Sequence, residues 1–352
     1  MAQQFTTGIV DNYNGNVYDY SNILLSDNGT HTNGTSNDIT DTVPLDKHKP
    51  ILSAFNIVIF LLGVCGNGVV IWISGFKMKR SVNTTWYLSL AISDFIFCAS
   101  LPFTAVQLAT SDWLFGLAMC KFTSFVMFLN MFSSIFLLVL ISVDRCVSVV
   151  FPVWSQNHRT ARAASALVLL AWVTSAVLSV PSLIFRKIKS VTITTCYNDY
   201  KGKEQVHLAV AVSRLVCGFV VPFLVIAVCY VLIILKLRRN RMTKSSKPFK
   251  VMSALIVTFF ICWLPYHVLI LLELEHKKYA PEVFDTAMPV CVLVASANSF
   301  LNPLLYAFMG KDFKKVYRNC LLSKIDNALS DDAHTLSKRQ SLTQESKVST
   351  HV

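Results

Sequence analysis

Asn302-Pro303-Leu304-Leu305-Tyr306 closes the last of seven long apolar stretches that run from Ile51 to Phe308. An apolar run of about 20 residues crosses a bilayer as a helix. Inside such a run a proline is expensive, because it frees a backbone carbonyl, and its Asn and Tyr neighbours add polar groups at membrane depth. Something has to use those groups, and polar residues at that depth mark function by default.

The composition agrees. Of 352 residues only 15% are charged, against about 25% in soluble domains, and the mean hydropathy is +0.51. The net charge of +12 does not point to nucleic acid. The cations lie mainly in short loops beside apolar runs, which is the positive-inside pattern of a multi-pass membrane protein. The expected fold is an all-α bundle of seven transmembrane helices. The spans are placed at Ile51 to Phe76, Thr85 to Ala109, Met119 to Val150, Ala163 to Phe185, Val206 to Lys236, Phe249 to Leu274 and Val283 to Met309. No internal repeat is evident.

Four segments follow from this. Residues 1–49 are polar and Asn-rich, a composition that disfavours a fixed fold, with glycosylation sequons at Asn28 and Asn33 and with Tyr13, Tyr18 and Tyr20 near Asp11 and Asp19. No apolar signal core precedes Ile51, so the first span is expected to act as the insertion signal. Residues 50–309 form the membrane domain. Residues 310–322 carry Phe313, Val316, Tyr317 and Leu321 among Lys314, Lys315 and Arg318, the spacing of an amphipathic helix on a membrane surface, with Cys320 as a palmitoylation candidate. Residues 323–352 read as a hydroxyl-rich regulatory tail.

Lys and Arg in short loops set the orientation. Lys77, Lys79 and Arg80, then Arg145, Arg159 and Arg162, then the run from Lys236 to Lys250, place three loops in the cytosol. The amino terminus is then extracellular and the carboxyl terminus cytoplasmic. Arg186, Lys187, Lys189, Lys201 and Lys203 break the rule by lying outside, which suggests service to a ligand.

Several polar residues sit within the spans. Asp94 costs about 2.5 to 3.5 kcal/mol at mid-membrane. Asn130 with Ser134, and Asn298 with Asn302, each share a helix face. A carboxylate among neutral oxygens suits a sodium ion, and equally a hydrogen-bonded cluster with water. Asp144-Arg145 is compatible with an interfacial anchor or with an acid that holds and releases Arg145. Cys262-Trp263-Leu264-Pro265 sets a bulky ring beside a kinking proline. Cys120 and Cys196 both face the oxidising side, where a disulfide persists; two free thiols are the alternative. Arg214 lies in span five about two turns above Pro222. It serves either an anionic ligand, such as a peptide carboxylate, or an internal salt bridge to Glu273.

Taken together these residues resemble a class A (rhodopsin-like) G-protein-coupled receptor: Gly66-Asn67, Asp94, Asp144-Arg145-Cys146, Trp172, Pro222 with Tyr230, Cys262 to Pro265 and Asn302 to Tyr306, one group per span in order. The resemblance implies an allosteric sodium site at Asp94, Asn130, Ser134, Asn298 and Asn302, a toggle at Trp263, and a G-protein switch of Asp144, Arg145, Tyr230 and Tyr306. It also implies a Cys120–Cys196 tie between span three and the second outer loop. Cys146 departs from the family's usual Tyr. Pro152 to Arg159 resembles the second inner loop of the chemoattractant receptors for chemerin, formyl peptides and anaphylatoxins. Asn240 to Met242, Lys247 to Lys250 and Asn327 to Ser330 resemble the chemerin-receptor branch. Phe128 stands where formyl-peptide receptors place an acid.

The resemblance therefore implies a non-enzymatic cell-membrane receptor for a chemerin-like peptide or small protein, acting in chemotaxis and inflammation. The expected ligand-contacting residues are Arg214, Glu273, Phe128 and Trp263. Expected partners are inhibitory-class heterotrimeric G proteins, arrestin and receptor kinases acting at Ser330, Thr335, Ser337, Ser341, Thr343 and Ser346, and a PDZ protein at Val352. No cofactor is expected beyond the sodium ion. An anaphylatoxin or formyl-peptide receptor and an arrestin-biased decoy are the alternatives. A retinal protein needs a lysine in the core of span seven, which has none. An intramembrane protease needs a second acid or a serine–histidine arrangement at depth, and a transporter needs repeats.

Overall fold

The computed structural model describes residues 48–200, 204–239, 247–274 and 281–309, with Val316 and Arg318 besides. Seven helices among them are long and apolar enough to cross a membrane: Lys49–Lys77, Val82–Thr110, Gly116–Val150, Ala161–Phe185, Glu204–Arg239, Ser253–Leu274 and Ala287–Leu305, called spans one to seven below. The helical turns containing the last two begin earlier, at Lys247 and Pro281, and the seventh runs to Met309. The expected spans hold to within a few residues.

Local chemistry explains the differences at the ends. Span two begins at Val82, three residues before the expected Thr85. Ser81 caps it by accepting from the Thr84 amide (3.2 Å), and Thr84 Oγ1 accepts from the Ser81 amide (2.8 Å). Span three begins at Gly116, whose φ of +71° is costly for any residue with a Cβ. Thr160 caps span four on the Ala163 amide (3.2 Å). Span four is broken at Val180 by the following Pro181 and ends in the short helix Pro181–Phe185.

Two elements were not expected. Pro152–His158 is a short helix between spans three and four. Arg186–Ser190 (β1) and Thr194–Asn198 (β2) form an antiparallel hairpin between spans four and five, with Ile188 opposite Cys196. Cys196 is disulfide-bonded to Cys120 at the start of span three, Cα–Cα 5.8 Å. The Trp113 amide also bonds the Thr194 carbonyl (2.8 Å), and Asp112 accepts from the Thr194 amide (2.7 Å), so the hairpin is moored on both sides of Gly116.

The core runs through the middle of the bundle. Trp86, Met131, Phe132, Ile135, Phe259 and Trp263 are among its fully buried side chains, supplied by spans two, three and six. Span three buries the largest share of its length and span four the least, which puts span three at the centre. The rings of apolar residues left exposed on spans one, four and five suit a lipid environment. Span one packs close to span two because Gly63 has no side chain: a Cβ there would collide with Cys98 Sγ. Span five is π-helical from Val216 to Val220, one step before Pro222, whose ring cannot continue the regular ladder.

Candidate functional site

Pro303 cannot donate to the carbonyl of Ser299 four residues earlier. Asn67 of span one fills that place. Its Nδ2 donates to the Ser299 carbonyl at 2.9 Å and to the Gly63 carbonyl at 3.0 Å. The freed carbonyl of span seven is therefore used to hold span one.

Asn302, beside that proline, turns inward. Its Nδ2 donates to Asp94 Oδ2 at 2.7 Å, and Asn130 Nδ2 of span three donates to Asp94 Oδ1 at 2.9 Å. Asp94 is fully buried. Three serines complete the cluster. Asn130 also donates to Ser93 Oγ (3.1 Å), Ser93 and Ser133 share a hydrogen bond (2.6 Å), and Ser299 Oγ donates to Asn130 Oδ1 (3.1 Å). Sequence reading missed Ser93, Ser133 and Ser299, because a serine inside an apolar helix commonly bonds its own backbone. Ser134 and Asn298 are buried in the bundle, but among the described residues Ser134 Oγ and both Asn298 side-chain polar atoms have no hydrogen-bond partner. The five expected residues thus divide into three bonded groups and two with unused polar atoms.

Towards the hairpin end lies a buried cation. Arg214 of span five is 6% exposed. Its Cζ stands 3.5 Å from the centroid of the Phe128 ring, a cation–π contact. Its Nη2 donates to Ser182 Oγ at 3.2 Å, the guanidinium also hydrogen-bonds the Tyr200 hydroxyl, and among the described residues Nε has no partner. The expected alternative of a salt bridge to Glu273 is not formed: among the described residues no carboxylate is ion-paired with Arg214. Glu273 is partly buried near enough to feel its charge, as do Tyr200, Tyr266 and His267. From Phe128 a line of rings descends: Tyr266 at 6.3 Å, then Trp263 at 5.8 Å from Tyr266, then Phe259 at 6.0 Å from Trp263. Trp263 is fully buried, and among the described residues its indole Nε1 has no partner. His267, not singled out from the sequence, packs 5.1 Å from Phe219 and is also buried.

The basic outer loop is expected to serve a ligand, and the protein itself already engages at least two of its cations. Lys187 pairs with Asp199 at 2.6 Å, and this hydrogen bond raises the Lys187 ammonium above its ordinary range. Arg186 turns inward, donating from Nε to Ser124 Oγ (2.9 Å) and from Nη1 to the Cys196 carbonyl (3.1 Å). Lys201 and Lys203 lie outside the described residues.

At the opposite end Arg145 Nη2 lies 3.0 Å from Asp144 Oδ2. Asn83 Oδ1 accepts from the same guanidinium. Tyr230 is half-buried, and its hydroxyl accepts from Ser253 Oγ at 3.1 Å. Cys146 is buried against Cys229 and Ile233, so the departure from Tyr at this position fills a small apolar site between spans three and five. The Tyr306 side chain lies outside the described residues. So do Asn28 and Asn33, the amphipathic segment apart from Val316 and Arg318, Cys320, the six tail hydroxyls and Val352. Val316 packs on the main core cluster.

A family profile described as 7 transmembrane receptor (rhodopsin family) matches residues 66–306. The chain is 45% identical over 302 residues to "Chemerin-like receptor 1" of Homo sapiens, covering 80% of each chain. It is 45% identical over 282 residues to "C3a anaphylatoxin chemotactic receptor" of Oncorhynchus mykiss, 77% of each. With "N-formyl peptide receptor 2" of Homo sapiens the identity is 39% over 299 residues, 78% of this chain and 84% of the relative.

Proposed function

The chain belongs to the rhodopsin family of seven-transmembrane receptors, and from that premise we propose that it is a cell-surface receptor for a chemoattractant peptide or small protein of the chemerin kind. The observation that carries this reading is Arg214. A buried guanidinium is costly unless an anion meets it. Here it meets only neutral partners, the Ser182 and Tyr200 hydroxyls and the Phe128 ring face, and among the described residues it has no ion-paired carboxylate and its Nε has no partner. A peptide carboxyl terminus supplies two charge-assisted hydrogen bonds to such a group. Phe128, which packs against the guanidinium, stands where formyl-peptide receptors place an acid and so argues against that type of recognition. Similarity to chemerin-like, anaphylatoxin and formyl-peptide receptors supports the chemoattractant class.

On this reading the hairpin end is extracellular, with the amino terminus, and the Asp144 end faces the cytosol. A ligand at Arg214 shifts Phe128 and Tyr266, and the ring line passes the displacement to Trp263. Span six then pivots at Pro265, where the regular backbone bond is missing. Arg145 leaves Asp144 and, with Tyr230 and Tyr306, admits an inhibitory-class G protein. Arrestin, receptor kinases and a PDZ protein act on the carboxyl-terminal tail.

A sodium ion fits the Asp94 centre. The carboxylate oxygens offer about four lone-pair sites, more than Asn130, Asn302 and Ser299 take, and among the described residues Ser134 Oγ and Asn298 Oδ1 are buried acceptors without a hydrogen-bond partner. Bound there, sodium would supply positive charge that stabilises the resting packing. Asp94, Ser134 and Asn298 would hold it, with Asn130 and Asn302 orienting the carboxylate.

The test is a cAMP-inhibition and arrestin-recruitment screen with chemerin, anaphylatoxin and formyl peptides, each as free acid and as carboxyl-terminal amide. The reading expects an active free acid and a much weaker amide. Silence towards all of them would defeat the ligand class; equal potency of acid and amide would defeat the role given to Arg214.

A further inference from the structure

Two arginines converge on one carboxylate at the end of the bundle opposite the hairpin. Arg159 follows the short helix Pro152–His158 and is fixed there by its amide, which bonds the Ser155 carbonyl at 3.0 Å. Its Nε donates to Asp144 Oδ1 at 2.6 Å and its Nη2 to Asp144 Oδ2 at 2.9 Å. Arg145 reaches the same Oδ2 at 3.0 Å with a single nitrogen, and among the described residues its own Nε has no partner. The contest extends to Asn83, whose Oδ1 accepts from Arg145 and, at 2.7 Å, from Arg159. Arg159 therefore grips Asp144 with two nitrogens, in the fork geometry that suits guanidinium and carboxylate, while Arg145 holds it with one.

The side chain of Asp144 is only 10% exposed. If Arg145 were its sole counterion, letting go would strand a nearly buried carboxylate, which is costly. Arg159 removes that penalty, and its like charge beside Arg145 weakens the hold further. We propose that Arg159 is a positioning residue acting as the substitute counterion of Asp144, so that Arg145 is released at low cost when the receptor activates. The functional part rests on the G-protein reading above; the competition between the two arginines does not.

The test uses the purified full-length protein in lipid nanodiscs, without ligand. A double-mutant cycle of Asp144→Asn and Arg145→Gln, read as apparent melting temperature, gives the coupling between these two residues. It is run with Arg159 and again with Arg159→Gln. The proposal expects a larger Asp144–Arg145 coupling once Arg159 is gone; an equal or smaller coupling overturns it. In parallel, ligand-free nucleotide exchange on a purified inhibitory-class heterotrimer should fall by roughly threefold in Arg159→Gln, the scale of one partly exposed ion pair. It should recover in part in Arg159→Lys, whose point charge cannot bridge both oxygens. Unchanged or faster exchange in Arg159→Gln also overturns the proposal. If the unmutated chain drives no exchange, the coupling reading has failed, and the melting cycle alone still decides between competition and its absence.

Discussion

Asp94 and Arg214 are both charged and both buried in one helical bundle, yet the protein serves them in opposite ways. Each oxygen of Asp94 accepts from an amide, one from span three and one from span seven, and three serines extend the network. Arg214 has neutral partners only, the Ser182 and Tyr200 hydroxyls and an aromatic face, and among the described residues its Nε has none. The acid has been given enough internal partners to fix three helices against one another. The base has been left without an ion-paired carboxylate among the described residues. A buried charge with closed bonding is a joint, and one with open bonding is a receptor for something from outside.

The largest expected effect breaks the open side. Arg214→Ala should cost about 100-fold in the potency of whichever peptide activates the unmutated receptor, near 3 kcal/mol, as for a truncated buried charge contact. Dose–response curves at matched surface expression measure it, and an unchanged curve would make Arg214 another structural joint. Next comes the closed side. Asn130→Ala removes the donor to Asp94 Oδ1 and the acceptor of Ser299, so a loss of about 2 kcal/mol in stability is expected. It should appear as a lower apparent melting temperature.

Phe128→Leu keeps an apolar floor but removes the ring face under Arg214. A loss of about 1 kcal/mol, roughly fivefold in peptide potency, is expected from cation–π strengths, with little change in melting. The smallest stability effect belongs to Asn298→Ala, which breaks no hydrogen bond among the described residues. A melting shift as large as that of Asn130→Ala would mean that Asn298 is tied into the Asp94 network through solvent or an ion. Repeating both melts in sodium and in potassium chloride separates those two outcomes.

Much of this comparison was legible from residue order. Seven apolar runs, an acid in the second, a proline in the seventh and an arginine in the fifth are one-dimensional facts. The bilayer makes them informative, because it taxes every polar group. The partners were less legible. Ser93, Ser133 and Ser299 are ordinary residues in helices, and nothing in their spacing says that they meet across three spans. Arg159 counted as one more loop cation until its guanidinium was found on Asp144. The hairpin was hidden for another reason: Arg186 to Asn198 mixes charged, hydroxyl and apolar residues without the alternation of a half-buried strand, and the disulfide from Cys196 to Cys120 ties it to span three.

The sequence by itself determined the number of spans, their order and which residues carry charge into the membrane, since length and hydropathy answer directly to the thickness and dryness of lipid. Only the tertiary structure decided how those charges are met. It gave the carbonyl freed by Pro303 to Asn67, closed Asp94 with amides from two other helices, left Arg214 open and set two arginines on Asp144. Hydrogen bonds at 2.6 to 3.2 Å depend on helix rotation and depth, and residue order does not contain those quantities.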